Sequence, residues 1–155
     1  MTQEISTPKK EQTVNASFQQ KSAGVSLVIV ASAAMYYVAK AWPMRQIALD
    51  GTPIPSGFGG LVLTTFGLVV LAEIVLQIVL IIGAGSAPKA NSHEQLASLK
   101  ANRNANGVLT AGVLAVVGVL FAGFPAFCLA NIAMIALFAA EIVKITSQLI
   151  YGRAG

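Results

Sequence analysis

Glu73 and Glu141 each stand inside a long apolar run, and each is the only acidic residue of its run. A charge near mid-bilayer costs at least about 2.5–3.5 kcal/mol on insertion scales. Pairing, protonation or a wet cavity must offset that cost. Carboxyls held out of water can take up and release protons, so the two glutamates are a candidate proton or cation site. The plainer reading is a structural clamp. Gln77 follows Glu73 by four residues, and Lys144 and Gln148 follow Glu141 by three and seven. Those spacings place each set on one helix face. Lys144 can pair with Glu141, reach Glu73 across a bundle, or extend toward the interface. Glu73, Gln77, Glu141, Lys144 and Gln148 are therefore read as one intramembrane polar cluster, with the clamp preferred.

The elements that must position these residues follow from composition. The chain has 155 residues, of which 55% are hydrophobic and only 10% charged, with a mean hydropathy of +0.73. Soluble domains carry about 25% charged residues, so an ordinary soluble domain is excluded. Four apolar spans are expected, beginning with Ser22 to Ala39 and Phe58 to Ile82. The uncharged stretch from Asn104 to Ala140, continued to Ile150, exceeds one bilayer crossing. A break at Gly123-Phe124-Pro125 divides it into spans near Asn106 to Ala122 and Ala126 to Ile150. A re-entrant third segment is the alternative.

The fold expected is all-α, a four-helix bundle of two tandem transmembrane hairpins. Residues 1–20 read as a flexible cytoplasmic tail and 21–85 as the first hairpin. Residues 86–104 form a cytoplasmic connector and 105–155 the second hairpin. Trp42 to Gly57 reads as a loop, with Pro43, an Asp50-Gly51 turn, Pro53 and Pro55. Pro88 breaks the chain before a polar helix that Ser92 caps. Tyr36, Tyr37 and Trp42 fit an interfacial aromatic belt. Lys9, Lys10 and Lys21 before the first span, with Ala31-Ser32-Ala33 inside it, resemble a signal peptide. The apolar run continues past that point, which favours an uncleaved helix.

Orientation follows from the basic residues, 10 against 6 acidic ones. Lys9, Lys10, Lys21, Lys89, Lys100, Arg103 and Arg153 fall on one side of a four-span chain, and Lys40 and Arg45 on the other. Both termini are then expected on the cytoplasmic side of the membrane. Ala72-Glu73-Ile74-Val75 recurs as Ala140-Glu141-Ile142-Val143. That match implies a parallel repeat with the two glutamates at similar depth.

Gly107, Ala111 and Ala115, with Gly118 and Ala122, form small-residue stripes suited to close helix packing, within the chain or between copies. Asn131 is a candidate hydrogen-bonding group between helices. Thr64, Thr65 and Thr146 are expected to bond to their own helix carbonyls. His93 stands alone in a polar stretch, and Cys128 alone in a span, so neither a metal site nor a disulfide is expected. No catalytic triad, phosphate loop or nucleic-acid pattern is present, and enzymatic activity is not expected.

Glu141-Ile142-Val143-Lys144, followed by Gln148, Tyr151 and Arg153, resembles the C-terminal signature of a family of small bacterial and archaeal four-helix membrane proteins of unknown function. The resemblance covers roughly the C-terminal half. In that family a polar cytoplasmic helix precedes the third span; Glu94 to Arg103 is a thinner version. This chain departs in having Gly152 and few charges in the connector. The resemblance implies four helices and cytoplasmic termini, and no activity. The expected role is a non-enzymatic accessory, regulatory or structural subunit in a homo-oligomer or larger membrane complex. The alternative is proton- or cation-coupled transport through Glu73 and Glu141. The residues identify no cofactor, although lipid or pigment can occupy apolar grooves between helices.

Overall fold

A computed structural model describes residues 9–49, 54–84 and 92–153, whose regular elements are all helices. The helices are α1 (Lys9–Leu49), α2 (Phe58–Ala84), α3 (Ser92–Phe121) and α4 (Ala126–Arg153). Each holds a segment long and apolar enough to cross a membrane: Ser22–Arg45, Phe58–Val79, Gln95–Phe121 and Ala126–Tyr151. The chain is thus a multi-pass helical membrane protein. In hydrocarbon every backbone polar group must be satisfied within the protein, which a helix does by itself.

The α3–α4 break falls where expected. Gly123 has a φ of +75°, a conformation open to glycine at little cost. Its N–H bonds the carbonyl of Leu120 and that of Phe124 bonds Val119, so a glycine-capped helix end satisfies carbonyls that would otherwise be orphaned. Pro125 then stands just before α4, where its missing N–H costs nothing, and its carbonyl accepts from Cys128. Gly57, with a φ of +88°, plays a comparable part before α2, accepting from the Leu61 N–H.

Three expected boundaries shift. The loop expected from Trp42 begins later, because α1 runs through Pro43 to Leu49. A proline removes one backbone hydrogen bond, a loss that neighbouring groups or water can make good. Here Arg45 also lies 3.9 Å over the Trp42 ring, joining the helix turn that holds the proline. The connector is not a separate helix either, since α3 is continuous from Ser92 into its span. α1 likewise begins at Lys9, inside the stretch expected as tail. The expected Asp50-Gly51 turn, Pro53 and the Pro88 break lie outside the described residues, as do the side chains of Ser92 and His93.

α4 is the centre of the packing. It lies against α3 on one side and α1 on the other, and α1 in turn carries α2. Among the described residues α2 makes no extensive contact with α3 or α4, so the packing they form is open rather than closed. The buried small residues of α3 are Ala97, Ala101 and Ala105, on the helix that packs against α4, and further along the seam Gly112 meets Ala136. A Cβ added at Gly112 would collide with the Ala136 methyl. Small residues let the backbones approach, which replaces the hydrophobic drive that lipid removes. Gly107, Ala111, Ala115, Gly118 and Ala122, the stripe expected to pack within the chain or between copies, are exposed and form no part of this seam. α3 carries small residues on more than one face, and spacing alone does not say which face is turned to α4.

Most large apolar side chains point outward, among them Leu63 at 74% and Phe121 at 86% exposed. In water such a surface would drive aggregation, whereas in a bilayer it is the solvated state. Gly112→Leu should lower stability by about 1–3 kcal/mol by forcing α3 from α4. Gly118→Leu, with open space at its Cβ, should stay within about 0.5 kcal/mol of the parent. Helical circular dichroism during heating in mild detergent measures both. Equal melting of the two variants would refute the close approach.

Candidate functional site

A part-buried polar contact joins α1 to α4. Tyr37 is 1% exposed, and its hydroxyl donates to the Asn131 side-chain oxygen at 2.9 Å. The Asn131 amide donates in turn to the Phe127 carbonyl at 2.8 Å, which holds the acceptor in place. Around this pair the rings of Phe58 and Phe138 lie 6.5 and 5.9 Å from Tyr37, and Phe58 lies 4.8 Å from Phe127. All are tilted, a favourable aromatic geometry. With Ala41 and Met134 they form the apolar core where α1, α2 and α4 meet.

Tyr37 thus departs from the expected interfacial belt. Tyr36 and Trp42 remain exposed, as a belt requires, but α1 turns Tyr37 inward. The physical reason is Asn131: a tyrosine hydroxyl can be buried when a partner meets it. Asn131 and Thr65 behave as read from sequence. Thr65 is buried and bonds the Leu61 carbonyl at 2.8 Å.

The five residues expected as one polar cluster fall into separate groups. Glu73 is half-buried on α2 and accepts a hydrogen bond from the Ser26 hydroxyl of α1. Gln77 is exposed one turn further. On α4, Lys144 bonds Glu141 at 3.1 Å, with the Glu141 side chain 49% exposed. Gln148 is half-buried one turn beyond Lys144. Lys144 does not reach Glu73, because α2 does not pack along α4. The two glutamates therefore have unlike partners despite their matching tetrapeptides.

Two adjoining grooves between α1 and α2 share Ile29, Leu68 and Ala72, and their linings are almost wholly apolar. Among the described residues, His, Cys, Asp and Glu nowhere gather in the threes that a metal ion needs. Cys128 is half-buried.

A further polar group ties the start of the α3 span to the end of α4. The Asn104 amide donates to the Ser147 hydroxyl oxygen at 3.4 Å and to the Tyr151 hydroxyl oxygen at 3.3 Å. Lys100 lies 5.8 Å from the Tyr151 ring centre. Sequence reading missed this group, since its halves are more than forty residues apart. The signal available was the four-residue step on each helix, Lys100 to Asn104 and Ser147 to Tyr151.

Compared with protein-family models, with curated proteins and with solved structures, the chain gives no match. The Tyr37–Asn131 bond is testable by a double-mutant cycle. Tyr37→Phe and Asn131→Leu should each destabilise the fold, with a coupling of about 0.6–1.7 kcal/mol, the range of interhelical hydrogen bonds. Additive effects, within about 0.3 kcal/mol, would show that the bond contributes nothing.

Proposed function

We propose that this chain is a non-enzymatic accessory, regulatory or structural subunit that acts through helix contacts inside the membrane. The observation that carries this reading is the Glu141–Lys144 pair. Glu141 lies about 15 Å along the helix from Tyr151 at the end of its span, yet half of its side chain is exposed. The i,i+3 pairing with Lys144 neutralises net charge. It still leaves polar atoms turned away from α1 and α3, where lipid offers no hydrogen bonds. A neighbouring protein surface, from a second copy or another subunit, would cover that flank and satisfy it.

The membrane is read as the plasma membrane of a prokaryote with both termini cytoplasmic. Lys100 and Arg103 in the first third of the α3 span and Arg153 at the end of α4 support the orientation, being basic residues toward one face of the membrane. The matched glutamate tetrapeptides support descent from a repeated hairpin.

The experiment is native mass measurement in mild detergent. The parent chain should run as an oligomer or in a complex. Glu141→Gln with Lys144→Gln should release a folded monomer with helical content unchanged. A parent chain that is monomeric both in detergent and by cross-linking in its own membrane would overturn the proposal.

A second reading rests on Glu73, which bonds Ser26 and makes no ion pair among the described residues. A carboxyl without an opposing cation suits proton or cation exchange. Proteoliposomes should then show a pH-dependent flux that Glu73→Gln abolishes, and absence of flux in the parent would dismiss it.

A further inference from the structure

We propose that the joined ends of α3 and α4 bind the phosphate of an anionic phospholipid. The site is built by Asn104. Its amide group has two N–H donors, and it directs them to the oxygens of Ser147 and Tyr151. A hydroxyl that accepts one hydrogen bond keeps its own proton to donate. Asn104 therefore leaves two O–H donors on the surface of α4, side by side, one helix turn apart.

Lys100 completes the set. Its ammonium lies over the Tyr151 ring at 5.8 Å, a cation–π contact that uses none of its three N–H donors. Arg103, exposed next to Asn104, adds a guanidinium at the same level. Two cations and two hydroxyls at one span end form a receptor for a tetrahedral anion. The nearest described carboxylate along α4 is Glu141, and it is held by Lys144. The level fits as well: Tyr151 ends the α4 span and Lys100, in the first part of the α3 span, lies beside it, where phospholipid headgroups meet the chain.

The surface next to the receptor distinguishes a lipid from a free phosphate. Lys100, Asn104, Gly107, Ala111 and Ala115 step by four, three, four and four, so they share one face of α3. Asn104, Gly107, Ala111 and Ala115 are all exposed on it. From Asn104 to Ala115 is about 16 Å at the helical rise, close to half of a hydrocarbon core of about 30 Å. Side chains this small leave a shallow furrow one leaflet long, leading away from the receptor. An acyl chain fits there while the phosphate meets Lys100, Arg103, Ser147 and Tyr151.

The test uses the full chain, purified in mild detergent and stripped of lipid. Native mass spectrometry follows addition of phosphatidylglycerol, phosphatidylcholine with the same acyl chains, or glycerol phosphate. One phosphatidylglycerol should be retained per chain, with phosphatidylcholine and glycerol phosphate washing off. Lys100→Gln and Arg103→Gln should each weaken retention about fivefold, the value of one cation near an anionic surface. Tyr151→Phe should weaken it while leaving the ring under Lys100. Ala111→Phe, which fills the furrow, should also weaken it. Equal retention of the two lipids, or retention unchanged by Lys100→Gln with Arg103→Gln, overturns the proposal. So does glycerol phosphate bound as firmly as the lipid, which would make the site one for free phosphate. Conversion of a dimer to a monomer by Ala111→Phe, with lipid retention untouched, would give the furrow to a second copy instead.

Discussion

Helices in a bilayer gain nothing from leaving lipid for one another unless they find contacts that lipid cannot supply. In this protein α4 supplies two kinds. Toward α3 it offers Ala136, against which Gly112 brings the backbone close. Toward α1 it offers Asn131, whose side-chain oxygen accepts a hydrogen bond from the Tyr37 hydroxyl inside a shell of tilted aromatic rings. The other helices depend on these two seams. α2 is attached through α1 and the Phe58 ring, and its outer faces are left to lipid.

The same constraint sorts the polar residues. Tyr37, Asn131 and Thr65 are satisfied inside the chain. Glu73 is satisfied by Ser26 across a helix contact. Glu141 and Lys144 satisfy each other only in part, because both lie on the open flank of α4. Polarity in the span is thus graded from enclosed to exposed. The exposed end of that scale is where the proposed partner contact would lie.

Much of the architecture was legible in the chain. Uncharged runs of membrane length, the Gly123-Phe124-Pro125 break and the short α3–α4 turn all depend on local properties. Hydropathy and backbone freedom act at the residue itself, so no knowledge of neighbours is needed. The Glu141–Lys144 pair was legible for the same reason, being three residues apart on one helix. The Pro43 boundary was misread because a proline weakens a helix without dictating that it stop.

Partnership between distant segments was not legible. The sequence by itself determined four apolar helices, the Gly123-Phe124-Pro125 break, and which polar residues lie within them. Only the tertiary structure decided that Tyr37 faces inward, that Ala97, Ala101 and Ala105 rather than Gly107 and Ala111 are the buried small residues of α3, and that Glu73 meets Ser26. It also decided that Glu73 and Glu141 belong to different contacts. The reason is rotational. A helix that is apolar all round has no face marked as inner, and α3 carries alanine and glycine on several sides. Its rotation is settled by which face packs closest and which polar atoms find partners, and both depend on residues far away in the chain.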